Sequence, residues 1–487
     1  MSLTNGVSIA RSGLSATATQ TAVISRNVVA GTDVLTSRKM ANIVTVPGAG
    51  VRVASVSRVS DSALLQRLLT ASSSSGRQDS IVNGLTRLDI TIGDTELDAS
   101  PAALIGKLSD ALQLYSAAPQ DAAVGRSAVN AASNLVTALN EATTAVQATR
   151  QQADADIAST VDRLNTLLSQ FEDLNTAIIK GTRSGTDVTD QLDQRDRLLL
   201  SISEEIGIRT ATRANNDMVI YTDSGVTLFE TVPRDVSFNP TLMYTAGVTG
   251  NAVYIDGVQI TGLSGGMAST TGRLAGLSAV RDEIAVDYQS QLDEIARGLI
   301  ETFAESDQSG GGQPDTAGLF TWSGGPAIPT SGVTVSGLAG LIRLNASVDP
   351  AQGGDPTLLR DGGIAGADYS YTTGGAGYSE RIEELQNKLT EKRAFDGDAQ
   401  LTTFATLADF SSSSVSWLQE LRKTATSEAD YTSTMYQRAS EALSSATGVN
   451  LDEEMALLLE LERSYEATSR LISTIDGMFR SLLEVTG

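Results

Sequence analysis

Residues 448–487 read GVNLDEEMALLLELERSYEATSRLISTIDGMFRSLLEVTG. Leu451, Leu458, Leu461, Tyr465, Thr468, Ile472, Ile475, Phe479 and Leu482 follow one another at steps built from three and four, the spacing of a helical seam. Glu454 is the one misfit, a charge where the repeat asks for an apolar side chain. Asn450 is a good N-cap, and Asp452, Glu453 and Glu454 suit the positive end of the helix that it opens. A second line, Leu457, Leu471, Met478 and Val485, recurs at multiples of seven beside the first. The apolar face is therefore wider than a two-helix seam needs, which predicts a helix with more than one neighbour.

The opposite end of the chain carries the same kind of stripe. Leu3, Val7, Ala10, Leu14, Thr17, Thr21, Ile24 and Val28 alternate steps of four and three before Gly31 and Asp33 end the pattern. Two amphipathic helices thus flank everything else, and a chain that leaves by one and returns by the other would pair them. The plainer reading, two core helices of an ordinary bundle, is weakened by the heptads at both ends and by the wide C-terminal stripe. These residues are the candidate assembly interfaces of the N- and C-terminal helices.

Moving inward, Ile43–Val46, Pro47-Gly48-Ala49-Gly50 and Val51–Val56 predict a hairpin-like element. Helices are expected over 60–88, from Pro101 to about 115, and from near Pro119 through Ile157, Val161, Leu164, Leu168, Phe171, Leu174 and Ile178 to a break at Gly181–Gly185. After a helix over 189–205, Val219–Thr222 with Val226–Phe229 and Val253–Ile255 with Val258–Ile260 read as two hairpins. A helix follows over 272–303. Composition then shifts to Gly, Pro, Ser and Asp, which predicts irregular or mobile structure over 306–377. Helices resume at Ser379 and pass through Phe404, Leu407, Leu418 and Leu421 to Ser445. The predicted fold is mainly α with a small β domain. It divides into a terminal coiled-coil unit (1–45 with 446–487), a helical bundle (46–205 with 271–305 and 378–445), a β domain (206–270) and a Gly/Pro-rich segment (306–377).

Composition narrows the chemistry. With 487 residues the chain can bury a sizeable core, and aromatics at 5% favour packing through small and aliphatic side chains. A formal charge of -23 argues against nucleic acid or an anionic membrane surface as partner. Neither histidine nor cysteine occurs, which removes imidazole bases, thiol nucleophiles, disulfides and the usual zinc ligands. No signal-peptide pattern and no run of about eighteen apolar residues is found. Gly181–Thr186 lacks the Gly-Lys-Ser/Thr end of a phosphate loop and reads as a turn between helices. Asp349, Asp355 and Asp361 read as turn residues rather than calcium ligands. Glu383-Glu384, Asp452–Glu454 and Glu460 with Glu462 read as helix faces and dipole partners rather than paired catalytic acids, and Trp322 and Trp417 as single anchors. No catalytic, cofactor-binding or metal-binding residue, and no cofactor, is predicted.

The segments Gly448–Glu454, Leu458, Tyr465-Glu466-Ala467 and Ile472–Phe479 resemble the terminal signature of the flagellar axial proteins. Asp190-Gln191-Leu192-Asp193-Gln194-Arg195-Asp196-Arg197-Leu198-Leu199, ending at Ile206-Gly207-Ile208, is similar to a motif of the hook-associated protein 1 family that hook proteins lack. Ala118–Asp121 with Arg126, Gly272–Leu277 and Ser12-Gly13-Leu14 add to the likeness. After the first helix the chain departs from the axial pattern, keeping only Asn27 of one motif and Thr36 and Arg38 of another. The resemblance implies a non-enzymatic subunit, exported unfolded by a type III route without a cleaved signal peptide. It would form a homo-oligomeric ring at the extracellular hook-filament junction. Hook protein, the second junction and filament proteins and an export chaperone would be its partners. A hook, rod or filament subunit is the alternative in the same class, and an extracellular adhesion or binding module the alternative in another.

Overall fold

The computed structural model describes the chain except residues 1–2, 32, 34, 48, 93–98, 263–264, 373–374 and 487, and does not describe the side chains of 90–92, 485 and 486. Helix α1 (Leu3–Ala30) is followed by an antiparallel hairpin of β1 (Lys39–Val46) and β2 (Gly50–Arg58), with a register shift at Asn42/Ile43. The hairpin lies along α1, and the Val51 amide donates to Ser12 Oγ at 3.2 Å.

The body begins with α2 (Ser62–Ile92) and α3 (Pro101–Ala117), the latter capped by Ser100 Oγ, which accepts from the Ala103 amide at 3.2 Å. Helix α4 (Ala122–Ser184) has 63 residues, or roughly 95 Å at the usual rise. Asp121 caps its start and Gly185, at φ 73°, closes its end. Gly181–Thr186 is thus the turn into α5 (Thr189–Glu205).

Strands β3 (Ile208–Thr212), β4 (Met218–Thr222) and β5 (Thr227–Phe229) form one antiparallel sheet in that order. The short β6 (Val236–Ser237), β7 (Tyr254–Ile255) and β8 (Val258–Gln259) form another. Asp256 and Gly257 both have positive φ in the two-residue turn between β7 and β8, as such a hairpin requires. Helices α6 (Arg273–Ala279) and α7 (Ala285–Thr302) are one continuous rod joined by a π turn over Val280–Ile284.

Two apolar clusters organise the body. The second half of α4, with Ile157, Leu164, Leu168 and Phe171, packs with Leu199 and Ile202 of α5, the two sheets, and Leu274 and Leu277 of α6. The first half of α4 packs with α3, α7 and apolar residues between 317 and 364. The β strands thus share a core with helices rather than burying one of their own.

The described part of 306–377 holds short elements, among them β9 (Phe320–Thr321), α8 (Leu338–Leu341), β10 (Arg343–Leu344) and α9 (Leu358–Asp361). Two buried carboxylates, Asp293 within α7 and Glu305 three residues past its end, fasten this segment. Asp293 accepts from the Gly337 and Ala339 amides at 2.7 and 2.8 Å, and Glu305 from the Ile364 and Ala365 amides at 3.2 and 2.8 Å. Glycine-rich backbone, short of side chains to pack, is held here through its N–H groups.

Burial pushes the Asp293 carboxyl up to about 7, against the pull of three N–H donors. A folded value above the unfolded one means that its stabilising share is fully present below about pH 4 and is lost as pH rises through about 7. The stability difference between the native chain and Asp293→Asn should therefore shift in favour of the variant across that window. Urea unfolding at pH 4.5, 6 and 7.5 measures it, and a pH-independent difference would contradict this assignment.

From Ser379 onward the predicted run of helix is corrected. Helix α10 (Glu380–Thr390) stops, β11 (Arg393–Ala394) pairs with β12 (Phe404–Ala405), and only then does α11 (Leu407–Thr447) begin. Phe404 lies in a strand and is exposed. The interruption forms because the Glu294 carboxylate draws in the Asp396 amide at 2.8 Å, and Asp396 in turn caps a tight turn over Gly397–Ala399. Helix α12 (Leu451–Thr486) completes the chain, with Asn450 Oδ1 accepting from the Asp452 and Glu453 amides at 3.1 and 3.4 Å.

Gly272 allows the α5 end, α2 and α6 to meet. At φ 94° it occupies glycine territory, its amide donates to Ser73 O at 2.8 Å, and an added Cβ would stand 2.5 Å from Ile206 Cα. Gly272→Ala should cost about 3 kcal/mol, since both strain and a backbone clash must be relieved. Its urea midpoint should fall accordingly, and an unchanged midpoint would show that this junction is loose.

Candidate functional site

Helices α1 and α12 run antiparallel. Gly6 faces Ile475, Gly13 faces Thr468 and Gly31 faces Leu451, so small residues on α1 admit the larger side chains of α12. All eight stripe residues of α1 are buried or half-buried: Ala10, Thr17 and Ile24 fully, and Leu3, Val7, Leu14, Thr21 and Val28 in part. The α12 stripe divides. Leu458, Leu461, Thr468, Ile472, Ile475 and Phe479 are half-buried, while Leu451, Tyr465 and Leu482 are exposed.

The second line stays open. Leu457, Leu471 and Met478 are exposed, the last two at 51% and 52%. The Val485 side chain lies outside the described residues. One flank of α12 thus presents a row of large apolar side chains to solvent, a pattern associated with interaction surfaces.

Where this pair of helices meets the body, charged residues converge. Asp187, Asp190, Asp193 and Asp196 recur at three-residue steps just before and within α5. Across from them stand Arg26 of α1, Lys39 at the start of β1 and Arg58 at the end of β2. Arg26 reaches Asp187 at 2.7 Å and Asp190 at 3.4 Å. Lys39 Nζ pairs with Asp190 and lies 3.4 Å from Asp193. Arg58 bridges Asp193 at 2.9 Å and Asp196 at 2.6 Å, and Ser37 Oγ donates to Asp193 at 2.6 Å. The Asp193 and Lys39 side chains are almost fully buried.

A smaller node closes the other side. Glu454, 1% exposed, accepts from Arg38 Nε at 2.6 Å and from Asn27 Nδ2 at 2.9 Å. Asn27 also donates to Lys39 O and accepts from the Lys39 amide, and the Arg38 amide donates to Thr447 O at 2.7 Å. Arg197 of α5 reaches Thr36 Oγ1 at 2.9 Å and Asp33 at 2.5 Å. Residues 36–39 therefore tie the end of α1, the end of α11, the start of α12 and α5 to one another.

Electrostatics agree with the geometry. Burial works against the Asp187 charge, but the Thr189 hydroxyl and amide and the Arg26 guanidinium outweigh it and hold the carboxyl below its usual range. Burial pushes Asp196 upward despite Arg58 beside it, and lowers Arg195 to about 10. Arg195 faces inward, donating to Asn175 Oδ1 at 3.2 Å and Asn216 O at 2.5 Å, so it braces α4 against the turn between β3 and β4 rather than joining the row. Gln194 is exposed.

Sequence reading selected Asp190, Asp193, Gln194, Arg195 and Asp196 as a motif without a role, and the structure brings the three aspartates of that set to the terminal pair. Asn27, Thr36 and Arg38, the remnants of otherwise departed motifs, are all anchors of the joint. Glu454 is the misfit explained: a buried acceptor for two donors. Arg26, Lys39 and Arg58 were missed, and the one available signal was their basic character within a strongly acidic chain.

The other acidic clusters are dispersed. Asp349 and Asp355 cap turns, Asp361 pairs with Arg360 at 2.7 Å, and Glu384 pairs with Arg381 and Lys388 at 2.8 Å each. Among the described residues no group of three or more acidic side chains could hold a metal ion, and no helix is long and apolar enough to cross a membrane.

Residues 85–320 match the model of the flagellar hook-associated protein FlgK helical domain, and residues 439–485 that of the flagellar basal body rod FlgEFG protein C-terminal. Flagellar hook-associated protein 1 of Bacillus subtilis is 22% identical over 467 residues, covering 90% of this chain and 87% of its own. The protein of the same name from Salmonella typhimurium is 21% identical over 506 residues, covering 90% of each chain. Among solved structures, the flagellar hook junction protein FlgK from Burkholderia pseudomallei superposes with a TM-score of 0.57 at 12% identity, covering 77% of this chain and 99% of that one. At that identity the likeness speaks for the fold.

Proposed function

We propose, from the premise that this chain resembles flagellar hook-associated protein 1 over nine-tenths of its length, that it is a structural subunit of the bacterial flagellum joining hook to filament. The observation that carries this reading is the open apolar flank of α12. The helix is half satisfied by α1 and half unsatisfied, and it belongs to a terminal pair bolted to a long helical body. Such a subunit is complete in fold but incomplete in contacts. Copies would add through the free flank, giving a ring whose neighbours are hook protein on one side and the further junction and filament proteins on the other.

The charged joint supports a mechanical role. Forces on the body would reach the terminal pair through α5 and residues 36–39, and short charge-assisted bonds in a partly buried setting resist displacement better than apolar contact alone. The residue types argue against catalysis, since the perturbed groups in the joint are spent on each other. Export without a cleaved leader, and a chaperone covering the apolar flank of α12 before assembly, fit the same picture.

The match over 85–320 separates this reading from a hook or rod subunit, because the C-terminal pattern alone is shared by axial proteins. Immunolabelling of purified flagella tests it. Label confined to the hook-filament boundary is the expected result; label along the hook or shaft, or none on flagella, would overturn it.

A further inference from the structure

Helices α2 and α11 leave between them an open groove of about 720 Å³, whose lining includes Ala71, Tyr431, Met435 and Ala439. Tyr431, beside Met435 and Ala439 in the groove, is 60% exposed. The charged lining residues are Arg67 and Arg438. Neither makes a hydrogen bond or an ion pair among the described residues, in a chain of net charge -23 whose other arginines are mostly paired with carboxylates. An apolar groove edged by two unspent guanidinium groups asks for an apolar helix with acidic residues beside it.

The chain supplies one. Met455 and Leu459 lie on the flank of α12 opposite to the Leu471 and Met478 row, on the other side of the α1 seam, and both are exposed. Continued by helical steps, that line runs into Glu462 and Glu466. Glu462 has no partner among the described residues, and Glu466 has only a 3.7 Å contact with Arg470. The apolar part and the acidic part thus follow one another along one helix face.

Resting on the subunit reading above, we infer that the α2–α11 groove receives the Met455–Glu466 flank of α12 from a second copy of this chain, with Glu462 and Glu466 meeting Arg67 and Arg438. The two surfaces differ, so the contact is head-to-tail and repeats from copy to copy, closing a ring or extending a helix rather than stopping at a dimer. Charge supplies the selection, since in a strongly acidic chain most other approaches of one copy to another repel.

Absence of cysteine allows a direct test with the full-length chain. Met435→Cys protein is mixed with Met455→Cys protein and oxidised, and in parallel with Met478→Cys protein, which places the thiol on the other flank of α12. Disulfide-linked heterodimer of the 435–455 pair should exceed that of the 435–478 pair by about tenfold, fall to the control level with Arg438→Glu, and recover with Glu462→Arg on the partner. Equal yields for the two pairs, a dominant 435–435 dimer, or insensitivity to the charge reversals would overturn the assignment. Junction labelling in cells that persists while the 435–455 link is absent would sink the groove assignment alone, whereas absence of label from flagella would sink the parent reading.

Discussion

Glu454→Ala is expected to loosen the start of α12 and the end of α1 by about 2–3 kcal/mol while leaving the body intact. The carboxylate is fully buried and holds both Arg38 and Asn27. Its removal leaves Asn27 with a buried, unanswered donor and Arg38 with only the exposed Glu453 at 3.4 Å for a partner, and breaking one side of a buried pair costs about 3–5 kcal/mol in enclosed sites. Arg38 is 27% exposed, and that access to water brings the figure down. Native-state amide exchange reads the effect directly: protection should fall along α1 and α12 and stay constant in α4. Glu454→Gln, which can still accept from Asn27, should lose less. Uniform protection in the alanine variant would mean that the node contributes nothing to holding the terminal pair.

Larger still should be the effect of charging the open flank. Leu471 and Met478 are half exposed in the isolated chain, so Leu471→Asp with Met478→Asp should leave its melting unchanged. In an assembled ring the same positions would be covered. Losing two apolar burials at about 1.5–3 kcal/mol each, and burying carboxylates in their place, would lower incorporation by at least about a hundredfold. Cells expressing the double variant in place of the native chain should export it, and it should be recovered outside the cell as soluble, folded protein, yet filaments beyond the hook should fail to assemble. Normal assembly would move the interface elsewhere on the molecule.

Local signals in the sequence account for much of the fold. Heptad spacing marked α1, the second half of α4 and α12; Pro119, Asn450 and Gly185 marked helix ends; Asp256-Gly257 marked a hairpin. Residues 391–406 were misread because Phe404 and Leu407 sit at helical spacing, and only the buried Glu294 on a distant helix shows why the backbone turns there. The hold on residues 306–377 was hidden for the same reason: its partners are single carboxylates, Asp293 on α7 and Glu305 just past it, which leave no periodic trace.

The joint was half legible. The Asp190–Asp196 repeat could be singled out by its resemblance to the hook-associated protein 1 motif, but its partners lie far away in sequence. Ser37 and Asp193 are 156 residues apart, and Asn27 and Glu454 are 427 apart. A lone Asn, Arg or Lys in a loop carries no sign of such pairing. Glu454 did carry one, as a charge on an apolar seam, and the structure turns that irregularity into the latch of the terminal pair.

The central claim, that the chain is a flagellar junction subunit assembling through its paired ends, is tested most directly by removing residues 450–487 in cells that depend on this protein for motility. Loss of assembly at the hook tip, with the remaining chain exported and melting as the intact protein's body does, is the predicted result; normal filaments on hooks bearing the truncated chain would contradict it.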